Sequence, residues 1–398
     1  MAPLDLRNQA CIVGVGTTEF GRILDKSPVR LQVQAFRNAL DDCGLDKNEV
    51  DGFITAFGSP RGVDFDEFTA HAGINIKWTN QYWDHGRWGT TSIIAAATAV
   101  TSGVANYVLI ANTNTVPRGY GKAFSQFAGG RWSEGLRDAG GGQGQLDYHG
   151  LDTPGAATSL VARNYMTRYG ATDEELGSIA VAFRKNAQLN PNAIMNGKPM
   201  TIEDYMSSRF ISPPFRLFDY CLTNEGSVSI IVTTVERALA LKKKPVFISG
   251  FQGIHNGRND FVFFARPGLG VGMQEEFDYV APPQRVYEMA QVDQKDIDAL
   301  YVYDAFSTNT WTALERFGFC PAGEAHNFTQ NGRIELGGEL PINSNGGLMS
   351  EGHFSGYNHF VEMTRQLRGE CGERQVPNAE ALQWITPFGD SMILTKGQ

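Results

Sequence analysis

Leu45-Asp46-Lys47-Asn48-Glu49-Val50-Asp51-Gly52-Phe53-Ile54 closes one amphipathic helix and opens a strand; Val292-Asp293-Gln294-Lys295-Asp296-Ile297-Asp298-Ala299-Leu300-Tyr301 does the same 247 residues later. Each is preceded by an apolar strand that contains glycine, Cys11-Ile12-Val13-Gly14-Val15-Gly16 in one case and Val246-Phe247-Ile248-Ser249-Gly250 in the other. An echo at corresponding points of two strand–helix–strand units predicts a duplicated α/β architecture. The first unit spans residues 1–244, with a loop and helical excursion at about 115–215, and the second spans 245–398. Within the first, Leu31, Ala35, Ala39 and Leu40 share one helical face and Gly44 ends that helix. Residues 89–102 are small and apolar, a helix that can pack closely, and residues 104–111 return as a strand.

The 398 residues are 42% hydrophobic and 19% charged, which supports a large core and excludes disorder as the main state. Net charge is -9, and no basic run exceeds Lys242-Lys243-Lys244, so nucleic acid is not the expected partner. No run approaches the roughly 18 apolar residues of a membrane span, and the first residues lack a signal-peptide layout. The five cysteines (11, 43, 221, 320, 371) are widely spaced and form no C-x-x-C. A reducing, cytoplasmic setting is expected, without disulfides or a metal site in this chain.

Polar chemistry concentrates in three late segments. Tyr301-Val302-Tyr303-Asp304-Ala305-Phe306 ends a strand, with Tyr301 and Tyr303 on one face and Asp304 on the other. Asn343 to His359 is a glycine-rich loop carrying His353 and His359 before a helix over 360–367, and Thr386-Pro387-Phe388-Gly389-Asp390-Ser391 is a turn between two strands. Residues 129–150 hold eight glycines around His149 but no following G-K-S or G-K-T, so they read as a covering loop rather than a phosphate cradle.

Tyr303-Asp304-Ala305-Phe306 resembles the H-D-x-F of the thiolase superfamily, in its lipid-transfer-protein and sterol-carrier-protein branch. That family's G-x-x-P-x-N-x-x-G-G is matched from Gly338 to Gly347, S-E-G-x-x-x-G-x-N-H from Ser350 to His359, and R-Q-L-R-G at 365–369. V-G-x-G-x-T-E-F is matched from Val13 to Phe20, and L-D-x-x-x-T-x-x-G from Phe218 to Gly226 with Phe for the leading Leu. The resemblance implies a duplicated five-layered α/β/α/β/α fold with two mixed sheets, and a dimer.

The departures decide the expected chemistry. Where a thiolase needs its nucleophilic cysteine, the chain reads Asp84-His85-Gly86-Arg87-Trp88-Gly89-Thr90-Thr91-Ser92, and the late turn around Gly389 has no cysteine either. Thr90 or Thr91 is a poor substitute, because an alcohol is far less acidic than a thiol of pKa ~8.5. His353 occupies the place of the thiolase G-H-P histidine, and Tyr303 replaces the histidine of H-D-x-F. This pattern resembles the steroid side-chain aldolases of the same branch, which split a β-hydroxyacyl-CoA bearing a tertiary hydroxyl into a ketone and propionyl-CoA or acetyl-CoA. Tyr303 and His353 are then the acid/base and enolate-stabilising groups, and residues 85–91 shape the pocket floor. Asp304 is expected to cap the following helix, Asn358 and His359 to be as readily structural as catalytic, Tyr357 to be either, His85 and His149 to be polar or structural, and Cys221 to sit in the core without chemistry. The resemblance further implies no cofactor beyond the CoA of the substrate, and an α2β2 assembly: a homodimer with a small OB-fold accessory protein whose zinc ribbon holds zinc. A cysteine-free acyltransferase and a non-catalytic lipid-binding scaffold are the rival readings.

Overall fold

The computed structural model describes residues 6–56, 62–82, 89–116, 154–253 and 284–397. Its first half contributes strands β1 (Ala10–Thr17), β2 (Gly52–Thr55), β3 (Trp78–Gln81) and β4 (Tyr107–Asn114), a small hairpin of β5 (Phe210–Ser212) and β6 (Phe215–Arg216), and β7 (Gly226–Thr234). The second contributes β8 (Val246–Gln252), β9 (Ala299–Val302), β10 (Ala381–Ile385) and β11 (Ser391–Lys396). The sheet order is β3-β2-β4-β7-β1-β8-β11-β10-β9. From the centre outward, β1 and β8 each pair antiparallel with β7 and β11, these pair antiparallel with β4 and β10, and these pair parallel with β2 and β9. The two mixed sheets meet edge to edge through a short antiparallel contact, Cys11 with Phe247 and Ile12 with Val246, so one nine-stranded sheet runs through the molecule.

The glycines of the paired strands have the same cause in both halves. A Cβ on Gly16 would lie 2.3 Å from the Ala35 carbonyl oxygen of the helix Pro28–Cys43, and one on Gly250 would lie 2.4 Å from that of Val286 in the helix Arg285–Ala290. Each helix lies directly on strand backbone, a contact that any side chain would block. The helix Pro28–Cys43 starts with Ser27 accepting from the Arg30 N–H and Pro28 in the first turn, and stops at left-handed Gly44.

Alternation along the strands sorts the core into layers. Val108 and Ile110 of β4, and Tyr301 of β9, turn inward to a shared cluster with Ile93 and Ala96 of the helix Gly89–Thr101 and Phe360 and Val361 of the helix Tyr357–Arg368. Leu109 of β4 faces an outer cluster with Phe36, whereas Leu300 and Val302 of β9 face another with Phe183 of the helix Asp173–Gln188. The two central helices are therefore sandwiched between halves of the sheet, and outer helices close each side. The fourth strand begins at Tyr107 rather than 104, because Gly103 takes a left-handed turn after the central helix. The late helix begins at Tyr357, so Tyr357, Asn358 and His359 form its first turn. No described helix is long and apolar enough to cross a membrane.

Candidate active site

Tyr303 directly follows β9 and is 6% exposed. Its N–H donates to the Ile385 carbonyl at 3.2 Å, and its own carbonyl accepts from Asn309 Nδ2 at 3.2 Å, which holds the residue as a continuation of the strand. Period-two alternation puts its ring on the central face with Tyr301, as the sequence predicts. There it packs against Phe388 at 6.0 Å, Trp384 at 6.3 Å and His353 at 6.3 Å between ring centroids.

His353 is half-buried and comes from the opposite side, on the loop between the short helix Gly347–Ser350 and the helix Tyr357–Arg368. Its N–H donates to Asn224 Oδ1 at 2.6 Å and its carbonyl accepts from Asn114 Nδ2 at 3.4 Å. Asn114 also donates to the Asn224 carbonyl at 3.0 Å. Two asparagines of the first half thus position a histidine of the second. On the ring, Nδ1 lies 3.6 Å from Cys221 Sγ. Cys221 is therefore a half-buried neighbour of His353, packed against the core rather than fully within it.

Asp304 is fully buried but caps a different helix from the one expected. The following helix, Ser307–Arg316, has no side-chain cap. The Asp304 carboxylate instead accepts the Leu348 and Met349 N–H groups at 2.9 and 3.2 Å, and His359 Nε2 donates to it at 3.3 Å. Alternation explains the swap, because Asp304 faces away from Tyr303, towards the Gly347–Ser350 turn. Gly347, at φ 69°, is the only residue type that fits there: a Cβ would lie 2.2 Å from Asp304 Oδ2. Asp304 and His359 thus brace the loop that carries His353.

Asn358 serves the same loop. Its Nδ2 donates to Glu351 Oε2 at 2.6 Å, Asn190 donates to Oε1 at 2.9 Å, and Asn345 donates to Oε2 as well. Burial, with the nearby charge of Glu362, outweighs these donors and pushes the Glu351 carboxyl up to about 7. Tyr357 is fully buried and shares a 2.6 Å hydrogen bond with Ser92, tying the two central helices together.

Thr90 is fully buried, and its hydroxyl donates to Asp390 Oδ2 at 2.7 Å. Asp390 also accepts from Thr386 and from Trp384 Nε1 at 3.4 Å, and burial raises its pKa against these bonds. Thr90 is thus fully enclosed, with its hydroxyl proton held on a buried carboxylate. Thr91 beside it is half-buried. Gly389 adopts φ 87° in the turn, and its carbonyl accepts from Gln252 Nε2 at 2.7 Å, which pins the turn bearing Phe388 to β8. His85 and His149 lie outside the described residues. Sequence reasoning assigned no role to Asn114, Asn224 or Asp390; Asn224 lies inside the Phe218–Gly226 motif and Asp390 in the late turn over residues 386–391, whereas Asn114 carries no local signal.

Comparison with known proteins places this arrangement. Residues 279–383 match the family model "Thiolase C-terminal domain-like". The chain is 36% identical over 373 residues, 92% of both chains, to the 17-hydroxy-3-oxo-4-pregnene-20-carboxyl-CoA lyase of Mycobacterium tuberculosis. It is 32% identical to the steroid side-chain-cleaving aldolase of Thermomonospora curvata, over 92% of this chain and 91% of that one. It superimposes on the solved structure of an Ltp2-ChsH2(DUF35) aldolase with a TM-score of 0.84 and 29% identity, covering 99% of each chain. Matched over nearly its whole length, the chain belongs to the steroid side-chain-cleaving aldolases of the thiolase superfamily.

Proposed function

We propose that the protein is a carbon–carbon lyase that cleaves a steroid, or similarly bulky, β-hydroxyacyl-CoA with a tertiary hydroxyl, releasing a ketone and propionyl-CoA or acetyl-CoA. The observation that carries the reading is the convergence of Tyr303 and His353, with ring centroids 6.3 Å apart, while Trp384 packs on Tyr303 and shares Asp390 with Thr90, the buried residue at the helix start where a thiolase has its cysteine. In the cleavage, one of the pair takes the proton of the β-hydroxyl. The O–H electron pair becomes the ketone π bond, the Cα–Cβ bond breaks, and its electrons form the thioester enolate. The other group donates a hydrogen bond to the enolate oxygen, and the proton returns to Cα. Substrate and products balance without oxidant, reductant or second substrate, and no acyl group is carried on the protein. Positioned acid/base groups contribute about 10²–10⁴-fold and an oxyanion donor about 10²–10³-fold.

The same reading gives the chain an accessory partner, a small OB-fold and zinc-ribbon protein carrying the zinc, around a homodimer in an α2β2 complex. It gives the chain no cofactor apart from the CoA of the substrate, a cytoplasmic location, and a boundary between its two units at 244/245. Support comes from the solved Ltp2-ChsH2(DUF35) aldolase, whose aldolase chain this one resembles throughout.

The test is co-expression with such a partner and mass-spectrometric assay on a steroid C17-hydroxy propionyl-CoA thioester. The wild type releases the ketone; Tyr303→Phe and His353→Ala each lose about 10²–10⁴-fold of turnover while still binding the thioester. Thioester bound without cleavage by the wild type would favour a lipid-binding scaffold, and undiminished cleavage by both variants would remove the two residues from the mechanism.

A further inference from the structure

Neutral imidazole has one N–H donor and one acceptor nitrogen, and the partner of one nitrogen decides which atom carries the proton. At His353 the partner of Nδ1 is the Cys221 thiol, with Sγ 3.6 Å away. We propose that Cys221 is a positioning residue: its S–H donates to Nδ1, keeps the proton on Nε2, and so makes His353 the donor to the thioester oxygen and leaves the β-hydroxyl proton to Tyr303. The inference rests on the retro-aldol reading and divides the roles of its two residues.

Chemistry sets the direction of this hydrogen bond. An imidazole nitrogen is a good acceptor, whereas a neutral thiol sulfur is a weak one, so S–H to Nδ1 is the better match. The fold holds the thiol where this can operate. The Cys221 N–H donates to the Ala305 carbonyl at 3.0 Å, two residues beyond Tyr303, and the Leu222 N–H donates to the Leu348 carbonyl at 3.0 Å, on the short helix before His353. One extended segment is thereby stitched to both elements of the site. Among the described residues, Tyr303 packs against the ring, Asp304 faces Leu348, Met349 and His359, and Glu351 is held by Asn190, Asn345 and Asn358. Asn114 and Asn224, which grip the His353 backbone, are neutral. With Nε2–H as a donor that never leaves its nitrogen, the Tyr303 oxygen accepts the β-hydroxyl proton and a proton is delivered from it to Cα.

Cys221→Ser keeps a donor O–H where the thiol stood, whereas Cys221→Ala removes donor and γ-atom together, so rescue by serine reads the donor. In the enzyme with its accessory partner, Cys221→Ala is expected to lower kcat by about 3- to 10-fold, one hydrogen bond's worth, and Cys221→Ser to recover most of the loss. Site-resolved iodoacetamide alkylation of Cys221 supplies a readout independent of turnover. A thiol that donates stays protonated, so labelling rises only near or above a thiol's ordinary pKa of ~8.5. Rapid labelling at pH 6–7, lost in His353→Ala, would reveal a thiolate–imidazolium pair and overturn the assignment. Equal kcat in Cys221→Ala and Cys221→Ser would also overturn it, while His353→Ala remains inactive. Full turnover in His353→Ala would refute the retro-aldol role of His353 itself and this inference with it.

Discussion

Glu351 gives a quantitative test of how the loop bearing His353 is held. Its carboxyl is buried two residues before His353 and is pushed from the ordinary 4.5 to about 7. Below pH 4.5 the group is protonated whether the chain is folded or not, and it carries no penalty. As pH rises, the unfolded chain releases this proton first, so stability falls between about pH 4.5 and pH 7 and the full penalty stands above that window. The full difference corresponds to about 3.4 kcal/mol, of which about 2.5 kcal/mol falls between pH 5 and pH 8. For 398 residues the entropy of unfolding is about 0.8 kcal/mol per kelvin, so the shift in Tm is about 3 °C. Glu351→Gln keeps the shape and removes the titration. The assay is therefore a double difference: Tm of wild type minus Tm of the variant, at pH 5 and at pH 8. The variant's altered hydrogen bonds to the asparagines shift both pH values alike and cancel. The difference should fall by about 3 °C at the higher pH. A value constant to within about 1 °C would mean that the three amide donors keep the carboxylate ionised throughout, and the reasoning from burial would fail.

Two further substitutions test the scaffold around the site. Asp304→Asn removes the charge that accepts two backbone N–H groups and the His359 N–H, so stability should fall by about 2–3 kcal/mol and cleavage should fall as the loop shifts; calorimetry of the variant showing an unchanged Tm would contradict the bracing role. Thr90→Val deprives buried Asp390 of one donor and should cost about 1–3 kcal/mol, yet turnover per folded molecule should stay within tenfold of wild type because the hydroxyl does not attack the thioester. An acyl adduct on Thr90 in intact-mass spectra, lost in Thr90→Val together with cleavage, would establish covalent chemistry instead.

The parts of this site that could be read without coordinates are those encoded locally. Tyr303 and Asp304 fall on opposite faces because a strand alternates with period two, and the structure keeps that alternation one residue beyond the last ladder pair of β9. The echo at residues 45–54 and 292–301 marks equivalent points before β2 and β9, since each short turn-and-strand pattern is set by neighbours in the chain. His353 and the Asn358-His359 pair were found through contiguous motifs.

Partnership was beyond such reading, because it links residues far apart in the chain. Cys221 meets His353 across 132 positions, Asn224 meets it across 129, and Thr90 meets Asp390 across 300. Asp304 illustrates the limit: its type and face were legible, but the helix start nearest in sequence was the wrong one, because the donors it accepts are 44 and 45 residues away. The sequence by itself determined the alternating elements and their duplication, consequences of local periodicity, and, through its likeness to thiolase motifs, the loss of the nucleophilic cysteine. Only the tertiary structure decided which polar groups share a pocket, since desolvation and hydrogen bonding depend on what folding brings within about 3 Å, wherever it lies in the chain.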